Sequence, residues 1–255
     1  EILHSDTRGA IFGQGSYGSR TFSVEGTTIY KAAQKIQDKA RQFAAHLFKV
    51  PESEVIASEG KFYVKGASDQ VKTLQDIALA LWYAWDLPAG MEPGLEVVVF
   101  YEPPNFNYPF GTHVVLVEVD EETGQVDVVR YVAVDDFGNV GNPKIVEAQT
   151  YGNIHLGISE ALYEEAVYDS QGKILTDDYT TYAIARASRL PNFEIERTVT
   201  PNPNTPLGAK GAGDVANLPT PPAIVNAVCN ALEDLGVKHL DIPLTPEKVW
   251  RAMHH

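Results

Sequence analysis

Cysteine is almost absent from this chain: Cys229 stands alone among 255 residues. A single cysteine excludes an internal disulfide, and it excludes iron–sulfur ligation by this chain, because a cluster takes several thiolates. Basic residues are also scarce, 20 Lys and Arg against 34 Asp and Glu, for a formal charge of −14. With no local basic patch, such a surface does not suit nucleic acid or anionic lipid, so neither is an expected partner. No apolar run approaches the roughly 18 residues that cross a bilayer, and no secretory leader pattern opens the chain, which makes cytoplasm the expected compartment. Fixed-period repeats, low-complexity tracts and the strand-then-helix alternation of a doubly wound sheet are missing too. What remains is a 44% apolar chain able to bury one large core or two smaller ones.

The apolar spacing places the secondary structure. Ile29, Ala33, Ile36, Ala40, Phe43 and Leu47 recur at intervals of four and three, which predicts an amphipathic helix over residues 27–50. VIASEGKFYVKG reads as a hairpin turning at Glu59 and Gly60, followed by a helix over 73–85 whose Trp82, Tyr83 and Trp85 are expected in a core or an interface. Strands are expected at 95–102, 113–120 and 125–134, a third long helix at 143–165, a strand in FEIERTVT and a short helix capped by Thr245 and Pro246. The opening EILHSDT reads as a strand and turn. Cys229, on an apolar helix face, reads as core; His46 and His155 read as packing residues, with a polar contact the alternative for His155. Helices interleaved with antiparallel hairpins give an α+β class in two lobes, 1–102 and 103–255.

Chemistry concentrates in TPLGAKGAGDVANLPTPP, residues 205–222. Gly208, Gly211 and Gly213 open dihedrals closed to other residues and let backbone N–H groups approach a ligand, while Lys210 adds a positive charge that suits an anion. Asp214 is the ionisable centre. It is delivered toward the start of a helix with Thr220 as N-cap, Pro221 and Pro222 in the first turn and Gly236 as the stop. The alternative is a glycine-rich turn with a solvated aspartate. A second loop, GQGSYGSRTF, alternates Gly13, Gly15 and Gly18 with Gln14, Ser16 and Ser19 and adds Arg20. Amides, hydroxyls and a guanidinium together suit phosphate oxygens; an ordinary solvated loop is the alternative. A third edge, Asp135, Asp136, Phe137, Gly138 and Asn139, ends a strand pair where a ligand could dock. Neighbouring carboxylates on a strand point to opposite faces, so no acid–base pair is implied.

Five segments in order resemble the molybdopterin-binding large subunit of the xanthine oxidase family, nearest its carbon monoxide dehydrogenase and glyceraldehyde oxidoreductase-like branch. They are GSYGSR (15–20), YPFGTHVVLVEVD (108–120), RYVAVDDFGNVGNP (130–143), ALYEEAVYD (161–169) and PLGAKGAGD (206–214). The resemblance spans nearly the whole chain but only the C-terminal part of a much longer subunit. It implies a molybdenum cofactor-binding fold and molybdopterin cytosine dinucleotide as cofactor. The positions facing that cofactor would be Gly15, Tyr17, Gly18, Ser19 and Arg20; Asp136, Gly138, Asn139 and Asn142; and Lys210, Gly211, Ala212 and Gly213. Asp214 would be the carboxylate base, and no side chain would ligate the metal. The implied activity is oxidation of an aldehyde or similar small carbon substrate with water as oxygen source. The implied partners are the N-terminal half of the subunit and the iron–sulfur and FAD-carrying subunits. Two departures stand out. Asp214 occupies the family's glutamate position, and residues 151–157 replace the usual glycine pair and glutamine of the helix. A cofactor-binding or structural lobe that has lost catalysis is the alternative reading.

Overall fold

The structure, a computed structural model, describes residues 3–4, 6–9 and 12–254. It divides into two compact units, one of residues 24–102 and one of residues 1–23 with 103–255. Residues 1–23, expected with the lobe that follows them, count with the larger unit. Within EILHSDT, residues 1, 2 and 5 lie outside those described; residues 3, 4 and 6 are in no strand, and a turn at residues 7–9 is present.

The smaller unit is built from α1 (Thr27–Phe48), β1 (Val55–Ser58), β2 (Lys61–Val64), β3 (Ala67–Thr73) and α2 (Leu74–Tyr83). Its three strands pair antiparallel in the order β1-β2-β3. Glu59 and Gly60 both have positive φ, 48° and 70°, the turn whose twist matches a two-residue hairpin. Thr73 and Asp76 close a reciprocal cap at the start of α2, each side chain accepting from the other's backbone N–H. Ala40, Phe43 and Ala44 of α1 bury against Phe62, Ile77 and Leu81. The aromatic cluster does not join that core: Trp82 and Trp85 are 77% and 88% exposed. Residues 95–102 form no strand. Among the described residues no strand pairs with them, and the Val98 carbonyl accepts instead from Lys35 Nζ of α1.

The larger unit contains β4 (Phe110–Val119), β5 (Val126–Asp136), α3 (Pro143–Leu162), β6 (Phe193–Thr198), α4 (Thr220–Ala231) and α5 (Pro246–Met253). The sheet order is β4-β5-β6, with β4 and β5 antiparallel but β5 and β6 parallel. The α+β class expected from the sequence is present, and β6 adds a parallel neighbour to its antiparallel pair for a topological reason. The long connection through α3 is a crossover, which returns the chain in the same direction. Apolar residues of β5, α3 and α4, among them Tyr131, Ile154, Ile158, Ile224 and Val228, form the core, closed by Leu244 and Val249. Cys229, on α4, is half-buried and free. At the start of α3 the Asn142 side chain accepts from the N–H groups of Lys144 and Ile145. Pro219, not Thr220, takes the cap position of α4, and Gly236, with φ 80°, ends the 3-10 turn Glu233–Leu235 that follows α4.

Candidate functional site

The site grows from the C-terminal end of β5. Asp136 is fully buried there. Its Oδ1 accepts from Lys210 Nζ at 2.8 Å and from the Gly138 N–H at 3.0 Å, and its Oδ2 accepts from Thr198 Oγ1 at 2.9 Å. Burial alone would push this carboxyl up. The donors, Lys210 foremost and then Gly138, Thr200 and Thr198, outweigh it and hold the group well below the usual carboxylate range. Lys210 is equally committed: its side chain is 8% exposed, and Nζ lies 4.4 Å from the centre of the Phe110 ring. The charge that the sequence reading offered to an anion is therefore already paired within the protein.

That ion pair ties two backbone segments together. Asn139 N–H donates to the Gly208 carbonyl at 3.0 Å and Lys210 N–H to the Phe137 carbonyl at 2.9 Å, while Asn139 Nδ2 donates to the Leu207 carbonyl at 2.9 Å. Gly138 and Gly208 have φ of 61° and 65°, and a Cβ on Gly138 would sit 2.3 Å from the Gly208 oxygen. Only glycine at 138 permits this approach.

The loop containing Gly15, Tyr17, Gly18, Ser19 and Arg20 meets the segment 211–214. Ser19 Oγ donates to Asp214 Oδ1 and accepts from the Asp214 N–H at 3.0 Å. Ser19 holds this position with φ 58°, a left-handed backbone that a serine adopts at a cost of order 1 kcal/mol or more. A Cβ on Gly211 would lie 2.7 Å from Ser19 Cβ, and one on Gly213 3.0 Å from Ser19 Oγ. These glycines make room for the serine, so the close neighbour here is protein. Ala212 between them is half-buried, and Asp214 itself is exposed. Arg20 stacks over the Tyr17 ring at 4.9 Å, and its Nη1 donates to the Tyr17 hydroxyl at 2.8 Å and to Gln14 Oε1 at 3.3 Å. Its Nε is buried with no hydrogen-bond partner among the described residues.

Two supporting residues escaped sequence reasoning. Asn153 Nδ2 of α3 donates to the Gly213 carbonyl at 2.6 Å and to the Gln149 carbonyl at 2.7 Å, and Asn107 Oδ1 accepts from the Gly211 N–H at 3.2 Å. The one signal for Asn153 was an amide on the helix face that carries Ile154 and Gly157 into the core. His155 is satisfied by the Ala185 carbonyl at 2.8 Å, and Asn142 serves as the cap of α3.

Residues 1–191 match the family described as the molybdopterin cofactor-binding domain. The chain belongs to this family. Among similar proteins is the carbon monoxide dehydrogenase large chain of Hydrogenophaga pseudoflava, 40% identical over 99% of this chain and 31% of the relative. The nicotine 6-hydroxylase large subunit of Paenarthrobacter nicotinovorans is 35% identical over 97% of this chain and 30% of its own length. Crystal structures of a Cu,Mo-CO dehydrogenase and of quinoline 2-oxidoreductase from Pseudomonas putida 86 each superpose with a TM-score of 0.87. They are 35% and 31% identical, each match covering 97% of this chain and 31% or 32% of the solved one. This molybdopterin cofactor-binding chain thus spans about a third of the relatives it matches. Among the described residues no group of His, Cys, Asp and Glu could hold a metal ion, and no helix is long and apolar enough to cross a membrane. A recess of about 470 Å³ beside Tyr163, Tyr182, Arg186 and Arg189 shares no residue with the glycine loops.

Proposed function

We propose that the chain is part of the large subunit of a molybdenum-dependent hydroxylase or dehydrogenase that oxidises an aldehyde or similar small carbon substrate, with water as oxygen source. The observation that carries this reading is the Ser19–Asp214 junction, which brings an exposed carboxylate to the rim of the 15–20 loop. The unpartnered Arg20 Nε supports a fit to the proposed cofactor, because a buried guanidinium N–H without an acceptor suits an anionic oxygen. Open space around Gly15 and Gly18 suits it as well. On this reading the 15–20 loop, with the backbone of Ala212 and Gly213 and beside the edge formed by Gly138 and Asn139, holds molybdopterin cytosine dinucleotide. When bound, that cofactor supplies the two-electron redox chemistry. Asp214 acts as the base: Ser19 steadies Oδ1, and Oδ2 takes the proton. The rest of the subunit, and iron–sulfur and FAD-containing chains that carry electrons away, complete the enzyme, which works in the cytoplasm.

Aspartate in place of the family's glutamate sets the base back by about 1.5 Å, one methylene, and a misplacement of this order costs about a hundredfold in rate unless the backbone compensates. The hydrogen bond from Ser19, which lies in the left-handed region, is the compensating contact this reading requires. Turnover by the assembled enzyme tests it. Asp214→Asn should abolish turnover at unchanged molybdenum content, and Asp214→Glu should retain it. Full activity in the asparagine variant would remove Asp214 from the chemistry and leave a supporting lobe without catalysis of its own.

A further inference from the structure

A thread of buried polar groups leads from β5 to the loop that carries Asp214. Asp135 Oδ1 lies 3.2 Å from His113 Nε2, and His113 Nδ1 lies 2.7 Å from the Tyr131 hydroxyl. The Tyr131 hydroxyl lies 2.7 Å from Thr220 Oγ1, which donates to the Ala216 carbonyl, two residues beyond Asp214. Two glycines make room for its ends. A Cβ on Gly111 would fall 1.9 Å from Asp135 Oδ1, and one on Gly157 2.4 Å from Thr220 Cβ.

Donation along the thread is fixed from the carbonyl end. A carbonyl only accepts, so the one Thr220 hydroxyl proton goes to Ala216, and Thr220 accepts from Tyr131. The one Tyr131 proton is then used, so Tyr131 accepts from a His113 Nδ1–H. A neutral imidazole protonated at Nδ1 has only a lone pair at Nε2, which would oppose the Asp135 carboxylate. A proton between Nε2 and Oδ1 removes that conflict. We propose that His113 is a positioning residue for the Asp214 loop, kept a donor toward Tyr131 by a proton it shares with Asp135.

The surroundings agree. The His113 and Asp135 side chains are 0% and 1% exposed, and Asp135 Oδ2 is buried with no partner among the described residues. His113 is thus the donor that compensates this buried carboxylate. Burial foremost, and Asp135 with it, push the Tyr131 phenol up to about 12 against the lowering effect of Thr220, so it stays protonated and able to donate. Charged neighbours along the sheet include the Asp136–Lys210 pair, paired with each other, and exposed Arg197, opposite Asp135 in the β6 register.

Only the naming of that loop as catalytic rests on the proposed function, so the test reads the loop itself, by hydrogen exchange of residues 214–220 in the intact protein. In His113→Gln the amide either reverses the thread or turns its carbonyl toward the carboxylate, and exchange should quicken about tenfold. Adding Asp135→Asn supplies a neutral donor to the glutamine carbonyl, restores the original direction and should return exchange to the wild-type rate. If His113 instead donates to Asp135 and accepts from Tyr131, glutamine alone suffices; wild-type exchange in the single variant would overturn the proposal. Neutron diffraction on the unaltered protein decides independently of any variant's folding: deuterium on His113 Nδ1 is expected, and a bare Nδ1 overturns it. If these hold while Asp214→Asn keeps full turnover, the positioning inference stands and the proposed function falls.

Discussion

Replacing Lys210 with methionine isolates the ion pair beneath the glycine loop. The change keeps the length of the side chain and its packing on Phe110 but leaves Asp136, which is fully buried, with only the Gly138 N–H and threonine hydroxyls as donors. Breaking a buried pair by removing one partner costs about 3–5 kcal/mol. For a unit of this size, at about 2–4 °C per kcal/mol, the melting temperature should fall by about 6–20 °C at neutral pH. The sign of the pH dependence follows from the lowered carboxyl. A depressed folded value gives stability that is complete above the unfolded value, about 3.9, and lost as pH falls through the folded one. The gap between wild type and variant should therefore narrow in acid. Adding Asp136→Asn to Lys210→Met should recover most of the loss, because the amide still accepts from Gly138 and can donate to Thr198. Thermal unfolding followed by circular dichroism measures all three proteins. A loss below about 1 kcal/mol in the single variant, or a double variant no better than the single, would refute the reasoning.

Gly157→Ala should destabilise the larger unit by about 1–3 kcal/mol or more, read by chemical denaturation, because the added methyl meets the Thr220 Cβ at 2.4 Å. Ser19→Ala should leave the melting temperature nearly unchanged yet lower turnover of the assembled enzyme about tenfold or more, since it frees Asp214 at both its carboxylate and its N–H. Arg20→Ala should lower molybdenum content, measured by metal analysis, if Arg20 Nε meets an anionic cofactor oxygen. Unchanged occupancy would return Arg20 to a structural role against Tyr17.

Local signals were legible in the sequence and distant ones were not. The apolar stripe of α1, the Glu59–Gly60 turn and the Thr245 cap of α5 each depend on residues within a few positions, and all three are present. The direction of β6 depends on a neighbour more than sixty residues away, which an alternating pattern cannot name. Thr220 looked like a cap because hydroxyl residues before proline often are; its hydroxyl is drawn instead into the Tyr131 and Ala216 contacts. At the site, the glycine positions were visible but their neighbours were not. Gly211 and Gly213 read as room for a ligand, and the structure fills that room with Ser19. Lys210 read as a free cation because its partner, Asp136, lies 74 positions earlier. Asn107 and Asn153 carried no motif at all.

The larger unit is interrupted in sequence by the smaller one, and this orders events during synthesis. Ser19 and its partner Asp214 are 195 positions apart. At ribosomal speeds of about 5–20 residues per second, the Ser19 loop waits about 10–40 s before residue 214 has even been made. The 24–102 unit makes its strand and helix contacts within itself and can settle in that interval. The waiting segment, GQGSYGS, carries little apolar surface to drive misassociation. A ligand gripped by both loops would have no complete wall to bind until the chain beyond residue 214 has emerged.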